Sequence, residues 1–489
     1  MLERDGRSSQ EKRIGRRKVL RAIAAGAGAA TLYPVAGAYG TTATAIPDKL
    51  RTAQVRLDLG EKQGPLHIDH FGVGHGGYWA EPTWLDRACS EVRALKSKHI
   101  RLFVQEYYDL LPSPGRYHWT TLDQSVDMIL KAGSKPLMCL TFKPQVLFPR
   151  LDQNIVYPND WNAWETLVYE LVLHYKDRGA GIEYWEVGNE GDIGAGGGCP
   201  YKFTPESYST YYQHTVQAIR RADPNARVGG PALARHTSPI LPALLSHCDQ
   251  KRTPLDFVSW HNYNSDPETF TESITYIKNA LSKYPSLHPE TVLDEWNASI
   301  GNPPLDPRFQ PCFIAEVVYR MVEEHLGYSN YYQIRDCYVD PETMSFLPWW
   351  NPASWNRTSL MLGLFDFQNV IRPAYFCFRL LSRLTGERVP LHSDDTFVHG
   401  LASYDDTLKV FSVLLWNFSD SAARVNLALT GAESNLRAER VVLDSMTPSN
   451  EEFARLRRQP QLHLERQQTQ ATIDMEPYGV TFWSLRSAG

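Results

Sequence analysis

Tyr184-Trp185-Glu186-Val187-Gly188-Asn189-Glu190 and Leu293-Asp294-Glu295-Trp296-Asn297 are the two stretches whose reading decides the fold. Each is a short apolar run that ends in a carboxylate, and two helix-plus-strand periods lie between them. As strands of one parallel barrel, both would deliver their carboxylates to its C-terminal rim, where such barrels carry their chemistry. Two carboxylates at one rim suit the cleavage of a glycosidic bond.

Working outward, the same alternation of short apolar and longer amphipathic runs begins near residue 66. Eight strands are predicted at His67–Gly74, His99–Val104, Lys135–Thr141, Ile182–Gly188, Ala226–Pro231, Leu255–Trp260, Thr291–Glu295 and Ser329–Ile334. Helical patterns between them include Trp84–Lys98, Leu122–Ala132, Trp161–Asp177, Pro205–Ala222, Phe270–Lys283 and Phe313–Leu326, with a last one at Ala374–Leu384. Thr204-Pro205-Glu206 reads as a helix start, and Gly133 and Gly327 as left-handed helix caps. Past residue 389 the period changes to apolar-polar alternation broken by turns, the pattern of an antiparallel sandwich. The fold class is therefore α/β: a (β/α)8 barrel over 46–388 with a C-terminal antiparallel β-sandwich over 389–489. The alternating stretch 52–60 is a candidate extra strand of that sandwich.

The first 45 residues read as a leader. Arg16-Arg17-Lys18-Val19-Leu20-Arg21 is a twin-arginine export pattern, followed by an apolar run from Ala22 to Leu32 and small residues at Ala36-Gly37-Ala38 and Ala43-Thr44-Ala45. That run is about half the ~20 residues that span a bilayer, so no permanent membrane anchor is expected. The expected location is periplasmic or extracellular. A net charge of −5 with no basic stripe beyond the leader argues against a nucleic-acid partner. The seven cysteines are scattered with no C-x-x-C spacing, and no two histidines form a helical i, i+4 pair, so neither a metal nor a cofactor is expected.

Glu190 is the candidate acid/base: a carboxylic acid must protonate the leaving oxygen and later take a proton from water. Asn189 would hold the sugar 2-hydroxyl. The bland alternative is a glutamate capping a strand-to-helix turn. Glu295 is the candidate nucleophile; alternation sends Asp294 to the opposite, helix-facing side. Glu186 shares the Glu190 face and is expected buried and paired inside the barrel. Arg101 would hydrogen-bond the nucleophile, and His261 and Tyr263 at the sixth strand end would orient a carboxylate and a substrate hydroxyl. His75 lies at the first strand end, in a glycine-rich run that lets a sugar approach. Trp349 and Trp350 would floor the subsite.

Asn189-Glu190, Glu295 three strands later and the His261-x-Tyr263 rim resemble the clan A glycoside hydrolases. Within that clan the stretch from Thr52 to Leu485 most resembles glycoside hydrolase family 39, which includes β-xylosidases and α-L-iduronidases. Gly363-Leu364-Phe365-Asp366-Phe367 leading to Arg372-Pro373-Ala374-Tyr375 is similar to that family's passage into the last barrel helix. The resemblance implies a retaining hydrolase of an oligo- or polysaccharide, with Glu190 as acid/base and Glu295 as nucleophile. The family usually has Trp-Asn-Glu-Pro where this chain has Gly188-Asn189-Glu190-Gly191. That difference, with Asp294-Glu295-Trp296-Asn297, is more similar to family 51 α-L-arabinofuranosidases. A β-xylosidase is the first expectation; an arabinofuranosidase or an endo-acting polysaccharide hydrolase is the second. A non-catalytic carbohydrate-binding barrel would not need both glutamates.

Overall fold

The computed structural model describes residues 50–76, 86–148, 150, 152–299, 304, 306–336, 362–366, 368–446, 456–466 and 469–488. The leader expected at 1–45 and the tryptophans at 349 and 350 lie outside the described residues.

Eight strands close a parallel barrel: β2 (Phe71–His75), β3 (His99–Val104), β4 (Lys135–Leu140), β5 (Tyr184–Val187), β6 (Arg227–Leu233), β7 (Phe257–Tyr263), β8 (Glu290–Asn297) and β9 (Tyr328–Tyr332). After β2 to β8 come α1 (Asp86–Ala94), α2 (Thr120–Lys131), α3 (Trp161–Asp177), α4 (Pro205–Ala222), α5 (Ile240–Lys251), α6 (Glu268–Leu281) and α7 (Phe309–Glu323); α8 (Pro373–Leu381) follows β9. The best-defined helices carry their own start signals. Asp160 accepts from Ala163 N ahead of α3, and Thr204 and Ser207 form a capping box ahead of α4. Helix α5 has no counterpart in the sequence reading, although Ile240, Leu241, Leu244, Leu245 and Cys248 form its buried face. Gly133 takes the left-handed cap (φ 81°), but after α7 that conformation falls on His325 (φ 50°). Gly327 is instead a place of close approach, where a Cβ would meet Thr291 O at 2.9 Å.

The sandwich has a four-stranded sheet ordered β11-β1-β14-β18 and a larger sheet whose path runs β10-β12-β13-β19-β15-β16, with β17 on β15. These are β1 (Arg51–Asp58), β10 (Glu387–Val389), β11 (Leu391–Ser393), β12 (Val398–Asp405), β13 (Val410–Asn417), β14 (Ala423–Thr430), β15 (Leu436–Leu443), β16 (Arg457–Arg458), β17 (Leu462–Leu464), β18 (Gln470–Met475) and β19 (Val480–Ser487). Strand β1, from the N-terminal side of the barrel, pairs parallel with β14 and antiparallel with β11. Val413, Leu415, Trp483 and Leu485 of the larger sheet face the smaller one, while Leu414, Trp416 and Phe482 join the barrel's core. This period-2 division buries both faces of one sheet. At the joint, Glu316 of α7 accepts from His399 Nδ1 (2.8 Å), Trp416 Nε1 (2.8 Å) and Arg320 Nε (2.9 Å).

Candidate active site

The C-terminal mouth of the barrel gathers four carboxylates around two basic side chains. Arg101, inward-facing on β3 and fully buried, is the hub. Its Nε donates to Glu186 Oε2 (2.7 Å), Nη1 to Glu295 Oε2 (2.8 Å), and Nη2 to Asn189 Oδ1 (2.9 Å), with Asp294 Oδ2 also 2.9 Å away. Cys139 Sγ of β4 lies 3.2 Å from Nη2, and the guanidinium sits 4.5 Å from the Phe103 ring centroid. Its five donors in a fixed fork let one side chain hold several acceptors at once.

His261 of β7 bridges the other way. Nδ1 faces Glu190 Oε1 at 2.9 Å, Nε2 faces Asp294 Oδ2 at 3.1 Å, and Glu295 Oε2 is 3.8 Å from Nε2. Tyr263 Oη donates to Glu295 Oε1. Glu190 and Glu295 have oxygens within 4.8 Å of each other, with His261 completing the group. Both nitrogens of the ring point at carboxylate oxygens.

Backbone geometry sets this arrangement. Glu190 adopts a left-handed conformation (φ 47°), uncommon for a residue with a side chain, and its N–H donates to Ala232 O at 2.8 Å. The glycine-rich loop at 191–198 then folds back over it: a Cβ on Gly197 would lie 1.8 Å from Glu190 Oε2. Asp192 pins this loop to the β6 end by accepting from Ala234 N (3.0 Å) and Arg235 N (3.1 Å). Asp294 departs from the sequence expectation of a helix-facing side chain. The β7/β8 register slips, pairing Trp260 with Leu293 but His261 with Glu295. This bulge leaves Asp294 unpaired in the ladder and aims both it and Glu295 at Arg101.

Burial raises two of these acids. Burial lifts Glu190, the charge of Glu295 adds to that, and the His261 hydrogen bond opposes it. Burial and repulsion from Asp294 carry Glu186 to about 7 despite Arg101. Burial alone would discharge His261, but Glu295, Asp294 and its two hydrogen bonds hold it well above the usual histidine value. His75 closes β2 and is lowered to about 3 by burial and the Arg335 charge, so it is neutral. Among the expected site residues, Glu190, Asn189, Glu295, Arg101, His261 and Tyr263 thus form one bonded cluster. Asp294 was expected on the helix side, and Cys139 was not anticipated there. The one local signal was the pair of adjacent acids at a strand mouth.

Residues 113–418 match the model of glycosyl hydrolases family 39. A beta-xylosidase of Caldicellulosiruptor saccharolyticus is 27% identical over 306 residues, 57% of this chain and 59% of the relative's length, so this chain spans less than two thirds of it. The fold is similar to a monomeric beta-xylosidase from Caulobacter crescentus CB15 (TM-score 0.71, 17% identity, 89% of this chain, 100% of that one). It is also similar to an alpha-L-arabinofuranosidase from Thermotoga maritima (TM-score 0.64, 13% identity, 88% and 99%). The chain belongs to glycosyl hydrolases family 39.

Proposed function

We propose that this chain hydrolyses O-glycosidic bonds with retention at the anomeric carbon, and that a β-xyloside is its first substrate. The reading rests on Glu190 and Glu295 facing each other at one barrel mouth, their nearest oxygens no more than 4.8 Å apart. Retaining enzymes keep their carboxyl groups about 5–5.5 Å apart, whereas inverting ones need roughly 6.5–9.5 Å to admit a water. Glu295, oriented by Arg101 and Tyr263, attacks the anomeric carbon while Glu190 gives its proton to the leaving oxygen. Once Glu295 is esterified, its negative charge no longer raises Glu190, which is then suited to take a proton from the incoming water. Asn189 commits its oxygen to Arg101, leaving its amide nitrogen for the sugar 2-hydroxyl.

The β-xyloside preference follows the relative of that description. A second reading, an α-L-arabinofuranoside, is favoured by Gly188, Gly191 and the run Asp294-Glu295-Trp296-Asn297. Nitrophenyl xyloside, arabinofuranoside, glucoside and iduronide assayed side by side separate them. Single xylose units released from one end of xylo-oligosaccharides support the first reading, and internal cleavage indicates endo action. No turnover of any xyloside beside clear activity on another glycoside defeats it. The twin-arginine leader would carry the folded enzyme across the membrane; retention in the cytoplasm of a reporter bearing residues 1–45 would contradict export.

A further inference from the structure

We propose that Asp294 is a positioning residue that keeps His261 a doubly protonated imidazolium, and that this fixed cation receives the charge left on Glu190 when its proton departs. The inference deepens the reading of Glu190 as the acid and rests on it. Arg101 does not need Asp294 for neutralisation, because it already holds Glu186 at 2.7 Å and Glu295 at 2.8 Å. Asp294 Oδ2, 2.9 Å from Arg101 Nη2, is also the bonded partner of His261 Nε2 at 3.1 Å. A regular β8 would turn this side chain toward the helices, so the bulge between Leu293 and Glu295 is what brings it inward.

The groups facing His261 are Glu190, with Asp192 beyond it, from the end of β5, and Asp294 and Glu295 from β8. Arg101 of β3 shares two of those carboxylates and also binds Glu186, and Tyr263 of the same strand as His261 is bonded to Glu295. Within this frame Nδ1–H stays on Glu190 Oε1 and Nε2–H on Asp294 Oδ2 throughout the reaction. In the first half, the proton on Glu190 Oε2 moves to the leaving oxygen as its bond to the anomeric carbon breaks and the Glu295 bond forms. The new Glu190 carboxylate then lies 2.9 Å from an N–H of the imidazolium. In the second half, water gives its proton to Glu190, its oxygen bonds the anomeric carbon, and Glu295 is released. His261 neither gains nor loses a proton at any stage.

Asp294→Asn removes the charge that holds the imidazolium, so Glu190 loses its cationic neighbour and keeps its proton to higher pH. The alkaline limb of kcat/KM on a poor leaving group should move up by about one pH unit. Turnover of that substrate should fall about tenfold or more, with less loss for a nitrophenyl leaving group, and Asp294→Glu should restore the wild-type limb. A limb that stays in place in Asp294→Asn overturns the proposal. A second measurement does not depend on that variant folding. In wild-type enzyme carrying 15N-histidine, with the signal assigned by its loss in His261→Asn, both ring nitrogens of His261 should remain protonated across the active pH range. A neutral ring there overturns the proposal. If the wild-type enzyme cleaved no glycoside, the functional reading would fail and the His261 spectrum would still decide the imidazolium.

Discussion

Two buried carboxylate clusters, one at the barrel mouth and one at the joint with the sandwich, solve the same problem in opposite ways. At the joint a single acid, Glu316, faces three donors, two of them able to carry charge. Burial opposes its ionisation, but the bonds from His399, Trp416 and Arg320 prevail and hold it below the usual glutamate value. At the mouth four acids share Arg101 and His261, and burial pushes Glu190 and Glu186 up against the pull of those two bases. A buried acid whose donors outweigh its burial fixes a structure; one whose burial outweighs its donors keeps a proton that chemistry can use.

That contrast makes loss of function and loss of stability separable. The largest expected effect is at the mouth: Glu295→Gln should cut turnover by on the order of 10⁴-fold or more, for good and poor leaving groups alike. Its melting temperature should not fall, because a surplus negative charge has been removed; a clear drop would place Glu295 among the structural acids. Glu190→Ala should lower turnover of poor leaving groups by about 10²–10⁴-fold and spare the first step with a good one, and added azide should restore activity. Equal losses for both substrates would remove its assignment as the acid.

The smallest expected effect on activity comes from the joint. Glu316→Ala leaves Arg320, His399 and Trp416 without their shared acceptor and should destabilise the chain by about 3 kcal/mol, while the folded fraction keeps its kcat/KM. Because the folded value of Glu316 is depressed, its contribution is present above the unfolded glutamate value of about 4.3 and is lost as pH falls through the folded one. The stability gap between wild type and Glu316→Gln should therefore narrow on acidification below about 5, as denaturant melts at several pH values would record. A gap that widens would contradict the sign.

Much of this was legible in the sequence because it was written locally. Asp160 and the Thr204-Pro205 start fix α3 and α4 at the ends their patterns suggest, and β3 runs over its expected residues. Glu190 and Glu295 stood out as carboxylates closing apolar strands. What escaped the reading depends on partners distant in sequence. The slip beside Asp294 is a property of the β7/β8 pair, and strict alternation cannot anticipate it. The parallel pairing of β1 with β14 joins residues from opposite ends of the chain. Strands β18 and β19 part at Glu476-Pro477-Tyr478-Gly479, where the proline and glycine are a local signal. Gly197 could not be tied to Glu190 without knowing how the loop folds back.

The central claim is that Glu190 and Glu295 act as a close pair on opposite sides of one covalent intermediate. Proton NMR of the first sugar released, recorded before the anomers equilibrate, tests it on whichever glycoside the enzyme turns over. The account predicts a hemiacetal with the same anomeric configuration as the substrate. A first product of inverted configuration would contradict it.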